Sequence, residues 1–240
     1  EWASPDYYGV DLLDYGVKAE MTSGIRSGIL QFTYPESDSS FILLDMNHTL
    51  WQSCPWSNLR VENDSTLVGY KLVKGWGPER HVYFTAVFSK PFRDFGIMQD
   101  TIPVKYNTNR FRSSLEAWGK DLRFWMRFPT RQGEVVTVKT AVSAVSSDGA
   151  KLNMQELEGK TFASLKAEGE KLWEGQLSKF KIEATPEQRE TFYTSVYHAF
   201  LHPFIFQDAD GKFRELDKNI GQAEGFTNYT VFSLWDTYRA

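Results

Sequence analysis

An antiparallel β-sandwich followed by a helical region is the fold class that this sequence predicts, and three observations carry it. Up to about residue 145, short runs rich in Val, Ile, Tyr, Phe and Thr recur at intervals of roughly ten residues, with turn residues between them. No helical period separates those runs, which argues for strands joined by hairpins and against the crossover helices of a parallel sheet. From Leu152 the composition shifts to Leu, Glu, Lys and Ala, with apolar residues at three-, four- and seven-residue spacings.

In chain order, strands are expected at Val17 to Thr22, Ile29 to Tyr34, Phe41 to Met46, Thr66 to Val73, His81 to Phe88 and Val135 to Val142. Trp51 and Trp56 flank Cys54-Pro55 in one loop, and Gly75-Trp76-Gly77-Pro78 forms another between two strands. A tryptophan so placed either stacks on the flat face of a ligand or covers the sheet edge. Asp148-Gly149 ends the sandwich, so the first domain is residues 1–150. Leu157, Phe162, Leu165, Leu172 and Trp173 mark a helical linker over 151–180. Thr185-Pro186-Glu187-Gln188 starts a helix, with Thr as N-cap, Pro at the first helical position and Gln188 closing a capping box. That helix runs to about Leu201 and Pro203 helps to end it. Phe206 to Phe213 is expected as a hairpin turned by Asp210-Gly211, and a further helix opens at about Ser233. Residues 181–240 form the third unit.

Composition limits the function. The 240 residues are 41% hydrophobic and 24% charged, an ordinary globular balance. A net charge of -4 with no basic cluster excludes nucleic acid as a partner, because phosphate binding needs a cationic field. No apolar run is long enough to span a membrane. The start, Glu1-Trp2-Ala3-Ser4-Pro5, carries neither an initiator Met nor a signal segment, so the natural N-terminus is expected upstream. The single Cys54 excludes an internal disulfide and a cysteine-rich zinc site.

The richest chemistry lies in residues 227–240, where Trp235, Asp236 and Arg239 stand inside an aromatic run. Sugars are polar at the rim and apolar on the ring faces, so they need both fixed hydrogen-bonding groups and flat apolar surfaces. The bland alternative is that Asp236 and Arg239, three residues apart, form only a helical ion pair. Glycoside hydrolysis needs two carboxyl groups, and apart from Asp236 no second carboxylate is convincingly placed; Asp217 and Glu224 read as solvated loop residues. His198 and His202 have the spacing of a shared metal site, but Ala199 replaces the glutamate of a zinc peptidase helix and Pro203 disturbs the frame. Asp208-x-Asp210-Gly211 begins like a calcium loop, yet Lys212 and Arg214 occupy ligand positions, which favours a turn.

Taken together, Tyr7-Tyr8-x-Val10-x-Leu12, Gly69-Tyr70, Gly75-Trp76, His81-Val82-Tyr83-Phe84, Phe88-Ser89-Lys90-Pro91-Phe92, Phe192-Tyr193-Thr194-Ser195 and above all Ser233-Leu234-Trp235-Asp236-Thr237 resemble glycoside hydrolase family 92, the exo-acting α-mannosidases. The resemblance spans essentially the whole chain. It implies a β-sandwich of the supersandwich kind, packed on an (α/α)6 barrel of which this chain holds the opening. It also implies a bound calcium ion, an active site between the two domains and hydrolysis of terminal α-mannosides with inversion. Those enzymes are longer, so the rest of the same polypeptide would supply the general acid, the general base and most calcium ligands beyond Ala240. By the matching motif, Trp235, Asp236 and Arg239 would hold the terminal mannose, with Trp76 as a further sugar contact. The implied α-mannoside glycan substrates place the protein in a bacterial periplasm or at the cell surface. The rival reading is a non-catalytic carbohydrate-binding or structural sandwich, against which the helical residues 152–240 argue.

Overall fold

The computed structural model describes residues 1–75, 79–99 and 115–230, together with the two-residue strand Ile102–Pro103. Thirteen strands build the sandwich: β1 (Trp2–Ser4), β2 (Tyr7–Leu12), β3 (Val17–Ser23), β4 (Ser27–Tyr34), β5 (Ser37–Asp45), β6 (Ser53–Val61), β7 (Thr66–Lys74), β8 (Arg80–Phe88), β9 (Asp94–Gln99), β10 (Ile102–Pro103), β11 (Leu115–Gly119), β12 (Leu122–Thr130) and β13 (Glu134–Ser143). They form a nine-stranded sheet in the order β1-β2-β3-β4-β13-β8-β7-β6-β11, faced by a four-stranded sheet in the order β10-β9-β12-β5. Every described pairing is antiparallel, as the hairpin reading requires.

Alternation along the strands builds the core. In β12, Leu122, Phe124, Met126 and Phe128 point inward at every second position and meet Leu59, Leu67, Phe88, Val136 and Val138 of the large sheet. Phe124 is fully buried, with ring centroids 5.2 Å from Phe92, 6.1 Å from Phe95 and 6.2 Å from Phe88. A second, smaller cluster forms on the outer face of the large sheet. There Ile29 receives Leu157 and Leu165, flanked by Met154 and Phe162.

Those last residues belong to the helical part: α1 (Ser147–Asn153), a 3-10 turn (Met154–Leu157), α2 (Phe162–Leu177) and α3 (Pro186–Ala199). Thr161 and Thr185 each close a capping box at the start of α2 and α3. Contact between α2 and α3 is aromatic, with Trp173 and Tyr197 centroids 5.0 Å apart. No helix of the described chain is long and apolar enough to cross a membrane.

All six strand runs read from sequence fall on observed strands; the differences lie elsewhere. Cys54-Pro55-Trp56 is not a loop but the start of β6. The register slips between Ser53 and Trp56, and this bulge accommodates a proline that has no N–H for the ladder. Asp148-Gly149 opens α1, because Ser146 is the N-cap and its Oγ accepts from Gly149 N at 3.0 Å. Helix α3 stops at Ala199, so His202 lies past its end and does not share a helical face with His198. Beyond Phe200 the described chain has no further helix. It forms β14 (Phe204–Ile205) paired with β17 (Tyr229–Thr230), and between them β15 (Lys212–Arg214) paired with β16 (Ile220–Gln222). The expected hairpin is therefore displaced: its loop is 215–219, with Lys218 at a φ of 75°. Asp208–Gly211 is a separate tight turn before it, closed by Gly211 N donating to Asp208 O at 2.9 Å. The helix expected from Ser233 lies outside the described residues.

Candidate functional site

Trp76, Trp235, Asp236 and Arg239 all lie outside the described residues. The described chain shows what supports the segments on either side of them. Lys74 and Glu79 flank residues 75–78 in sequence, and they pair at 3.4 Å. Glu79 is also ion-paired with Lys218 of the β15–β16 loop, so the ribbon region is tied to the sandwich at the start of β8. Their mutual attraction favours ionised Glu79 and holds its carboxyl below the usual range. β17 is the last described support before Val231.

The ribbon segment is clamped to the end of the sandwich by three groups of contacts. Arg214 donates from Nε to Ala144 O at 2.8 Å and from Nη2 to Val145 O at 3.1 Å. Arg26 pairs with Glu156 at 2.8 Å and donates from Nε to Gln207 O at 2.5 Å. The third group is buried. Asp208, only 4% exposed, accepts from Ser143 Oγ at 2.6 Å and from Asn153 Nδ2 at 2.8 Å, while Asn153 Oδ1 accepts from Ala209 N at 2.8 Å. Burial pushes the Asp208 carboxyl up, against the two hydrogen bonds that favour its charged form. The sequence signalled a turn at Asp208 but not this role, because its partners come from β13 and α1.

Close to Arg214 of the clamp lies an aromatic and imidazole cluster. Tyr70 and Tyr83 sit opposite each other on β7 and β8 with centroids 4.8 Å apart, and the Tyr70 hydroxyl shares a 3.0 Å hydrogen bond with His81 Nδ1. Burial, with Arg214 nearby, holds the His81 pKa below its ordinary value, and burial pushes Tyr70 up. Both side chains are therefore neutral near pH 7. The unfolded chain takes up a proton on His81 near its ordinary pKa, before the folded chain does. Stability is thus fully present above about pH 6.5 and declines as pH falls through that value toward the lower folded pKa. His81→Gln should flatten the dependence of Tm on pH between about 7 and 5; profiles that stay parallel would show that another group titrates there.

Three acidic residues of this region are engaged, Glu79 with two lysines, Asp208 by burial and Asp210 with Lys212 at 2.7 Å, and the Asp217 carboxylate accepts from Asn219 N and Nδ2 at 2.9 and 2.7 Å. Among the described residues no group of three or more His, Cys, Asp or Glu side chains comes together. The calcium-loop resemblance of Asp208 and Asp210 resolves into a buried anchor and a surface ion pair.

This architecture matches known domains over its whole length. The N-terminal domain of glycosyl hydrolase family 92 matches residues 1–143, and the catalytic domain of the same family matches residues 149–240. The chain belongs to glycosyl hydrolase family 92. A solved family GH92 alpha-mannosidase from Bacteroides thetaiotaomicron is 70% identical, with a TM-score of 0.93 over 99% of this chain. The same enzyme in complex with mannoimidazole gives the same identity and TM-score. A family GH92 inverting mannosidase from Bacteroides thetaiotaomicron VPI-5482 shares the fold, with a TM-score of 0.79 at 20% identity over 96% of this chain and 30% of its own. No curated protein matched. The chain spans 32% of the first of these structures and 31% of its mannoimidazole complex.

Proposed function

We propose that this chain forms part of a glycoside hydrolase that removes terminal α-linked mannose from glycans with inversion of configuration. One observation carries the reading: 70% identity across 99% of the chain to an enzyme named as an α-mannosidase. In an inverting mechanism one carboxyl group protonates the leaving oxygen while a second activates water on the opposite ring face. The family resemblance puts that pair on other residues of the polypeptide. A calcium ion belongs to the same reading with ligands drawn from other residues, and none of the roles below depends on it.

Within this chain the Ser233-Leu234-Trp235-Asp236-Thr237 motif supports a role in holding the terminal mannose. Asp236 accepts hydrogen bonds from sugar hydroxyls, Trp235 packs on the ring or supports the carboxylate, and Arg239 orients the carboxylate or donates to a hydroxyl. Trp76 adds an apolar face. Glycan substrates of this class lie outside the bacterial cytoplasm, which supports a periplasmic or cell-surface location, to be read by cell fractionation.

The full-length enzyme should cleave an aryl α-mannoside and release β-mannose first, as followed by NMR; release of the α-anomer would overturn inversion, and no cleavage would overturn the activity. Asp236→Ala removes a charged acceptor at a desolvated hydroxyl. It should lower kcat/KM by about tenfold to a hundredfold, equivalent to about 1.5–3 kcal/mol. If Asp236 served only an ion pair with Arg239, the variant would instead melt earlier and keep near-normal kinetics. Measuring both on one preparation separates the two roles.

A further inference from the structure

Polar contacts, not a core of its own, hold the ribbon segment of residues 204–230. Leu216, Ile220, Phe226 and Tyr229 are exposed, and no residue of the segment joins either buried apolar cluster. Between residues 204 and 230 the only buried side chain is that of Asp208. A buried carboxylate is a poor source of stability, because its desolvation offsets the hydrogen bonds it accepts. What directional bonds to a buried group supply is a fixed position.

Both partners of Asp208 require a group that only accepts. Ser143 Oγ already accepts from Val145 N at 2.9 Å and from Ser146 N at 3.3 Å, so its proton is what it offers to Asp208. Asn153 Nδ2 donates to Val142 O and to Asp208, each at 2.8 Å, while Asn153 Oδ1 is taken by Ala209 N. An amide at position 208 would set an N–H against one of these donors.

Next to this anchor the two outer strands of the ribbon are locked side by side. Phe206 N donates to Asn228 O at 2.9 Å, Asn228 Nδ2 donates to Phe206 O at 2.8 Å, and Asn228 N donates to Gln207 Oε1 at 2.6 Å. Gln207 immediately precedes Asp208, so a shift of the anchor reaches Asn228 across one hydrogen-bonded pair. From Asn228 the chain enters β17, which ends at Thr230, and Trp235 follows five residues later in sequence.

We propose that Asp208 is a positioning residue for sugar binding: through Gln207 and Asn228 it fixes the strand that leads into the Trp235-Asp236 motif. The link to mannose rests on the mannosidase reading. Misplacing binding groups by about 1 Å costs up to about a hundredfold in such a site, so a modest shift of the anchor is measurable. In the full-length enzyme, titrated calorimetrically with a thio-linked α-mannobioside, Asp208→Asn should weaken binding about tenfold while the number of sites per chain stays at the wild-type value. That loss should largely disappear in an Asp236→Ala background, because the two residues act on one contact. An unchanged Kd overturns the proposal, and with fewer sites per chain it marks a role in folding alone; an equal loss in both backgrounds also overturns it. Should Asp208→Asn fail to fold, Gln207→Leu removes the next link, and wild-type affinity in that variant is equally fatal. Hydrogen exchange reads the position without any sugar. Asp208→Asn should speed exchange at the amides of Asn228, Tyr229 and Thr230 about tenfold while β7 and β8 keep wild-type rates, and unchanged exchange at those three overturns the proposal. A wild-type enzyme that neither binds nor cleaves α-mannosides would overturn the mannosidase reading instead, and the exchange rates alone would then decide whether Asp208 fixes the strand.

Discussion

Gly149→Ala should destabilise the folded protein by about 2–4 kcal/mol, although alanine favours a helix over glycine by about 1 kcal/mol. Gly149 lies inside α1, and a Cβ built on it would overlap Asp208 Oδ2 and stand 2.6 Å from Ser143 Oγ. Asp208 cannot swing aside cheaply. Its carboxylate is buried and fixed by Ser143 and Asn153, so moving it leaves those donors without their partner. Overpacking and unpaired polar groups each cost about 1–3 kcal/mol, and together they outweigh the helical gain. A double-mutant cycle checks the cause. In an Asp208→Ala background the Gly149→Ala cost should fall but not vanish, because Ser143 Oγ still stands 2.6 Å from the added Cβ, and a cost that persists unchanged would place the clash elsewhere. Proteolysis within 204–223 should also become faster in the single variant, because the clamp on that segment is what the clash opens.

Phe124→Ala should cost about 3–5 kcal/mol, the range for removing a large buried aromatic ring. The ring is enclosed by Phe88, Phe92 and Phe95, and its strand lies inside the four-stranded sheet, where β12 pairs with both β9 and β5. Neighbouring rings are themselves packed and cannot collapse fully into the space. Phe124→Leu, which keeps much of the volume, should cost clearly less. The check is the shift of the urea midpoint with unchanged slope. Similar losses for both variants would mean that ring geometry, not volume, stabilises this part of the core.

Much of the fold was legible locally. The six strand runs and both ends of α3's capping box follow from side-chain period and from backbone groups that need a partner within three residues. Strands β1, β2, β6 and β9 to β12 were not among the runs read from sequence. β9 and β12 contain Gly96 and Pro129, turn-type residues that break the local strand signal, and only pairing to partners already placed makes those runs strands. Pro55 misled in the same way, since a bulge lets a proline enter β6. The ribbon at Asp208 was read as the hairpin that its Asp-Gly turn would normally make.

The candidate site divides along the same line. Trp235, Asp236, Arg239 and Trp76 were named from residue types and a motif, and they lie outside the described residues. The approach of Asp45 to Asp121 needed the structure, because the two meet only when β5 and β12 pair, with Asp45 opposite Arg123. The amino-acid order by itself placed six strand runs and the start of α3, because those choices depend on neighbours a few residues away. Only the tertiary structure decided that Asp208 is buried, since Ser143 lies 65 residues before it and Asn153 55 before it. Burial, charge balance and cleft shape depend on which distant segments meet, and the free energy that brings them together is summed over the whole core, not written in any one stretch of chain.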